Sequence, residues 1–296
     1  MAHADPGGDA QRLGVGIMAN LAIAPFIAMD GAVDYLAVTP DMFWIDQGAV
    51  EGPQRYKDIP SWVAILEGSA LPKVSHHIGL SIASAIPTDP GYVAQMAAWA
   101  ARWQAQWLSE HLAFVSIADG HDATAAGLAL TAPFDRDVLD LAVDRARYVI
   151  EHTRAPFLLE NSPYYVTFDD SDLHEAEFLN RFCAESGGGL LLDLHNLYCN
   201  VVNHGVSGHR FLDELDLATV VEVHIAGGAE LGGMYADSHS GAPPEPVWDL
   251  LDDLVARAPN LRGITFEFHD SYLPRLGFDG TADVIARARR AWDARA

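Results

Sequence analysis

The chain has 296 residues, half of them hydrophobic and 20% charged, a composition that suits one closed α/β barrel of roughly 250 residues plus loops and argues against global disorder. Its 18 basic and 41 acidic residues give a formal charge of −23, a field that repels phosphate backbones and makes nucleic acid a poor partner. The N-terminus has no basic flank before an apolar run, and no stretch reaches the roughly 18 apolar residues of a membrane span, so a cytoplasmic protein without membrane association is expected.

In chain order, residues 1–10 read as a disordered tail, and 11–296 as a single (β/α)8 TIM-barrel domain in which short apolar runs alternate with helical patterns. The strand candidates are LGVGIM from Leu13, VDYLAV from Val33, KVSHHIGLS from Lys73, QWLSEHLAF from Gln106, PFLLENS from Pro156, GLLLDLHN from Gly189, TVVEVHIAG from Thr219 and GITFEF from Gly263. Their continuous apolar character suits strands buried on both faces. Helices are predicted from Asp89-Pro90 through Trp107, from Asp135 to His152, from Asp172 to Ser186, from Pro246 to Ala258 and from Thr281 to Arg295. Trp99, Trp103 and Trp107 read as one packed helix face. The loops at 41–60, 117–132 and 229–244 exceed simple connectors, which points to functional use. Cys183 and Cys199 lack CxxC spacing and read as buried free thiols.

Reactive side chains gather at the carboxyl ends of these strands, the end at which such barrels build active sites. They are His76 and His77, His111, Glu160, Asp193 and His195, His224, and Glu267 with His269, joined by Asp237 and His239 from the loop after the seventh strand. Side chains alternate along a strand, so His76 and His77 diverge, and His76 is the ligand candidate. The same alternation puts Asp193 with His195, Glu222 with His224, and Glu267 with His269. Imidazole nitrogen combined with carboxylate oxygen suits iron, zinc or manganese better than calcium. The number of donors exceeds the needs of one ion and fits two or three ions sharing carboxylates.

With these residues and the motifs HHIGLS, SEHLAF, LLENSPYY, EAEFL, GLLLDLHNLYCNVVNHG, VVEVHIAGG, DSHS, PVWDL and TFEF, the sequence resembles the multinuclear non-heme iron-dependent oxidative enzymes of the MbnB/TglH type. The resemblance spans roughly Val74 to Asp270. It implies a xylose isomerase-like barrel, two or three irons, and dioxygen-dependent modification of a ribosomally made precursor peptide, often with a separate peptide-recognition protein. It supports His76, His111, Glu160, Asp193, His224, Asp237, His239 and Glu267 as ligands. His195 stands where the family usually has Asn, which leaves it open as a further ligand. His269 replaces a usual Asp and is expected near the substrate as a catalytic group. Ser109, Asn161 and Asn196 are expected to orient ligands by hydrogen bonds, and Glu222 to do the same or to take part in catalysis. The competing expectation is a zinc- or manganese-dependent hydrolase or isomerase of the same barrel group, in which metal-bound water is the nucleophile.

Overall fold

The computed structural model describes residues 11–48, 52–119, 122–169 and 171–295. The expected N-terminal tail, 1–10, lies outside the described residues. Eight parallel strands close a barrel in chain order: β1 Gly14–Met18, β2 Tyr35–Val38, β3 Lys73–His77, β4 Leu108–His111, β5 Phe157–Glu160, β6 Gly189–Asp193, β7 Val220–Ile225 and β8 Gly263–Phe266. β1 pairs with β8, which completes the closure expected of a (β/α)8 fold. The helices are α1 Ala24–Ile27, α2 Pro60–Glu67, α3 Pro90–Trp103, α4 Arg136–Thr153, α5 Glu175–Ser186, α6 Leu194–His204, α7 Gly208–Glu214, α8 Glu245–Arg257 and α9 Leu273–Asp293. Among the described residues no helix is long and apolar enough to cross a membrane.

Local chemistry sets the boundaries. Asp89 caps α3 by accepting from Gly91 N, and Pro90 follows in the first turn. Asp135 caps α4 in the same way through Val138 N, and α5 ends on Gly187 in the left-handed region. The three long loops fold into antiparallel hairpins: Trp44–Asp46 with Tyr56–Asp58, Phe114–Asp119 with Asp122–Leu130, and Ala229–Leu231 with Met234–Ala236.

One sequence expectation fails in an informative way. α3 stops at Trp103 because Gln104 turns left-handed, so Trp107 does not share a helix face with Trp99 and Trp103. Trp107 instead begins the β4 segment and is fully buried inside the barrel with Tyr35, Ala37, Val74, Leu158, Leu191 and Val221. This layer floors the barrel. A Cβ on Gly16 would sit 2.7 Å from the Tyr35 ring, so glycine there makes room for it. The larger apolar core lies outside the barrel wall, between strands and helices.

Glu175 opens α5 and is buried, with Oε1 lacking a hydrogen-bond partner. Burial pushes its carboxyl up to about 8 from an ordinary 4.5, so the folded chain holds a proton that the unfolded chain has released. Stability therefore falls as pH rises from about 4.5 to about 8, at up to about 1.4 kcal/mol per unit. Glu175→Gln is expected to flatten this slope and to melt above the parent at pH 8.5. Parallel pH profiles of the two melting temperatures would contradict it.

Candidate metal centre

Two residues beyond the floor layer, the same inward-facing positions become polar. Val74 is followed at that spacing by His76, Trp107 by Ser109, Leu158 by Glu160 and Leu191 by Asp193, while on β8 Glu267 follows the buried polar Thr265. Strand period alone thus stacks a layer of imidazole and carboxylate on a layer of apolar side chains. His76, Glu160, Asp193 and His224 are essentially inaccessible, and Glu267 is buried.

Three overlapping groups result, in each of which one donor atom per residue lies within 4.8 Å of the others: His76, His111 and Glu160; His76, His224 and Glu267; and Glu160, Asp193, His224 and Glu267. His76 Nε2 is 3.2 Å from His111 Nε2 and 3.3 Å from Glu160 Oε2, while His111 Nε2 is 3.1 Å from the same oxygen. His224 Nδ1 lies 3.5 Å from Glu160 Oε1 and 3.4 Å from Glu267 Oε1.

Each ring is held by its other nitrogen. Ser109 Oγ is 2.9 Å from His76 Nδ1, the His77 carbonyl is 3.3 Å from His111 Nδ1, and Glu222 Oε1 is 3.3 Å from His224 Nε2. Glu222 also accepts from Trp107 Nε1 at 2.6 Å and from Thr265 Oγ1 at 2.6 Å, with Tyr35 OH at 3.3 Å. It therefore lies below the cluster, in contact with a ring rather than exposed to the mouth. Sequence reasoning missed Tyr35, Trp107 and Thr265. Their only signal was inward parity, and Trp107 stood both at the end of a predicted helix and in the strand candidate QWLSEHLAF.

Asp193 ends β6 and caps α6: its Oδ1 accepts from Asn196 N at 2.6 Å, leaving Oδ2 without a partner. Asn161 brackets the Asp193 backbone, donating to its carbonyl and accepting from its N–H, and Asn196 Nδ2 donates to the Asn161 carbonyl. Because α6 begins at Leu194, His195 is helical, and the strand parity expected to align it with Asp193 does not extend to it. It reaches the site by another route. Its Nδ1 is 2.8 Å from Asp237 Oδ1, and His239 Nε2 is 3.0 Å from that oxygen and 3.2 Å from Glu267 Oε2. A Cβ on Gly228 would sit 2.7 Å from His195 Nε2, so the glycine lets this ring lie under the loop carrying Asp237. His239 has φ of 48°, an uncommon conformation for a residue with a Cβ, and aims its ring back at the cluster.

His269 departs from expectation too. β8 ends at Phe266, and His269 is exposed, caps the short Asp270–Tyr272 turn and holds Ser271 Oγ at 2.8 Å from its Nδ1. Alternation from Glu267 does not govern it, and it stands at the mouth rather than in the cluster. His77 points outward and packs against Trp44 and Tyr92.

The electrostatics show how the protein tolerates this crowd of charges. Burial, reinforced by the charges of Glu160, Asp237 and Glu267, pushes Asp193 well above the usual carboxylate range. Burial opposes charge on His111 and His239, but neighbouring carboxylates outweigh it: Glu160 and Glu110 for the first, Asp237 and Glu267 for the second. Both are pushed up to about 10. His224 is raised in the same way by Glu267 and Glu222. Burial and its histidine neighbours hold His76 well below 6.5. Both oxygens of Glu160, Asp193 Oδ2, His224 Nδ1, His195 Nε2 and His239 Nε2 are buried without a hydrogen-bond partner. The orphaned atoms of Glu160, Asp193 and His224, of mixed nitrogen and oxygen type and drawn from the overlapping groups, fit a cation or a set of cations, whereas His195 Nε2 lies against Gly228 outside those groups.

Fold and site together define a xylose isomerase-like (β/α)8 barrel with a histidine and carboxylate cluster at the carboxyl end of its strands. A xylose isomerase-like TIM barrel protein from Mycobacterium smegmatis, solved with magnesium, is similar over 92% of this chain and 88% of its own, with TM-score 0.55 and 14% identity. Residues 12–289 match the family described as RiPP precursor modification enzyme MbnB/TglH/ChrH, and the chain belongs to that family. Similar relatives include UPF0276 proteins of Streptomyces avermitilis, 32% identical over 67% of this chain, and of Paraburkholderia phytofirmans, 34% identical over 64%. The matches span 42% and 62% of those two relatives' lengths.

A cation bound at this cluster would compete with protons on His111, His224, His239 and Asp193, because imidazole and carboxylic acid must deprotonate to act as ligands. Loading the metal-free protein with a divalent metal at pH 7 is expected to release at least two protons per chain. The check is calorimetry in buffers of different ionisation enthalpy. Release of less than one proton would contradict this charge assignment.

Proposed function

We propose that this chain is a di- or tri-iron oxidoreductase that uses dioxygen to modify a residue of a ribosomally synthesised precursor peptide, with residues 11–296 acting as one catalytic unit. The observation that carries the reading is the sharing of His76, Glu160, His224 and Glu267 among overlapping donor groups, since one ion does not need so many ligands. His76, His111, Glu160, Asp193, His224 and Glu267 would hold the inner ions. His195, Asp237 and His239 would join Glu267 on the outer side. Glu160 and Glu267 each belong to two of the groups. Family membership supports the peptide substrate, and a separate peptide-recognition protein would present it.

Bound iron would supply electron transfer between substrate and dioxygen, chemistry that side chains alone lack. The chain's own residues supply the rest. Ser109, the His77 carbonyl and Glu222 fix which nitrogen of His76, His111 and His224 faces the centre. Asn161 and Asn196 hold Asp193 in place. His269 is exposed at the mouth with Nδ1 held by Ser271, and its imidazole would be placed to contact substrate there.

Protein purified without oxygen is expected to carry more than one iron per chain and to consume dioxygen when given its precursor peptide. Stoichiometric zinc with full activity would transfer the assignment to the hydrolase or isomerase reading. Glu160→Ala and His111→Ala are expected to lose metal and turnover together, whereas His152→Ala, on an exposed helix end, should lose neither. His269→Ala is expected to retain its metal and to lower turnover at least tenfold. Unchanged turnover and pH profile would leave His269 only its capping contact.

A further inference from the structure

The inner and outer donors are carried in different ways. His76, His111, Glu160, Asp193 and His224 stand on barrel strands, and Glu267 stands one residue past β8. Asp237 and His239 instead follow the hairpin Ala229–Leu231 with Met234–Ala236, which rises after β7 and belongs to no larger sheet. Short strands paired only with each other are marginal by themselves, and the first of these is exposed throughout. Contacts from outside the hairpin must therefore fix where its end, and with it Asp237, lies.

α6 supplies them. Asn203, near the end of that helix, binds the Tyr235 backbone twice: Nδ2 donates to the carbonyl at 2.8 Å, and Oδ1 accepts from the N–H at 2.8 Å. The amide stands in for the neighbouring strand that the hairpin lacks on this edge. Asp237 is the next residue whose backbone faces the same edge, and its N–H donates to Tyr165 OH at 2.9 Å. The Tyr235 ring packs edge-on against His195 at 5.7 Å and Tyr198 at 5.3 Å, both on α6, and its hydroxyl accepts from Gly228 N at 3.2 Å.

Both supports trace back to inner donors. α6 starts at the Asp193 cap, and at a rise of about 1.5 Å per residue Asn203 lies about 15 Å along the helix from it. Tyr165 lies on the loop that leaves β5 after Glu160. On the other side of the outer donors, the His239 carbonyl accepts from His269 N at 3.1 Å. The segment from Tyr235 to His239 is thus tied at each end. Between the ties, Asp237 Oδ1 lies 3.0 Å from His239 Nε2, which lies 3.2 Å from Glu267 Oε2. Ligand distances in a metal site hold to about 0.2 Å, so a small shift of the hairpin end would matter.

We propose that Asn203, assisted by Tyr165, is a positioning residue for the outer donors: by bracketing Tyr235 it holds Asp237 and His239 against Glu267, and so sets the affinity of the outermost ion without touching it. The donors carried by barrel strands do not depend on it. That an ion occupies the outer donors rests on the proposed function. That Asn203 fixes the segment carrying them does not.

The test titrates metal-free full chain with cobalt(II), read by calorimetry and visible absorption, in a double-mutant cycle of Asn203→Ala and Asp237→Asn. Asn203→Ala is expected to weaken the weakest binding step at least tenfold and to leave the tighter steps within twofold of the parent. Asp237→Asn should weaken the same step, and adding Asn203→Ala to it should cost less than threefold more, because Asn203 acts through the segment that carries Asp237. Parental affinity in Asn203→Ala, equal weakening of tight and weak steps, or additive losses in the cycle overturn the proposal. Cobalt keeps the outcome independent of whether the purified protein holds iron or zinc. A parent that takes up a single ion refutes the multi-ion reading, and the cycle on that one step then decides the positioning: non-additive losses uphold it, and additive losses or none overturn it. Should Asn203→Ala fail to fold by thermal melt, Tyr165→Phe takes its place, with a loss of threefold or more in the weakest step upholding the proposal and parental affinity overturning it.

Discussion

Glu160 is buried with neither oxygen hydrogen-bonded, surrounded by His76, His111 and His224 at 3.1 to 3.5 Å. A carboxylate in that position is costly unless positive charge sits beside it, and removing a partner from such a set costs several kcal/mol. Much of the remaining architecture answers this constraint. Without metal, the balance is met by protons on His111, His224 and Asp193; a cation would meet it with the same donors and would need no rearrangement of the strands that carry them.

The constraint also explains the layer beneath. His224 can turn Nδ1 toward the centre only if Nε2 has a partner, and Glu222 is that partner. Glu222 is itself fully buried, so it in turn requires donors, supplied by Trp107 and Thr265 with Tyr35 alongside. Those aromatic groups fill the floor of the barrel, and the room for Tyr35 depends on glycine at position 16. The chain of requirements thus runs from a charge at the rim to an absent side chain on β1. Polar networks of this kind must be satisfied throughout, because each unpaired member carries its own desolvation cost.

The hairpin after β2, packed on the outer side of β3 through Trp44 and His77, follows a related logic with a different outcome. There Arg55 already neutralises Asp46 and Asp89, while Asp41 is supported by neutral donors. β3 connects the two places, since successive residues of a strand face opposite sides and His76 and His77 are successive.

The eight strands, their order and the gathering of His76, His111, Glu160, Asp193, His224 and Glu267 were legible in the sequence, because apolar runs mark buried parallel strands and period-two alternation marks which residues face inward. That logic applies only while the chain stays extended. It lapsed at His195, where Asp193 caps a helix, at His269, where the strand has already given way to a turn, and at Trp107, where a left-handed residue ends α3 and returns the indole to the barrel. Which nitrogen of each ring faces the centre, how Asp237 bridges His195 and His239, and how Asn203 holds the hairpin before Asp237 depend on contacts between residues distant in sequence. Such contacts exist only once the barrel has closed, and local pattern carries no record of them.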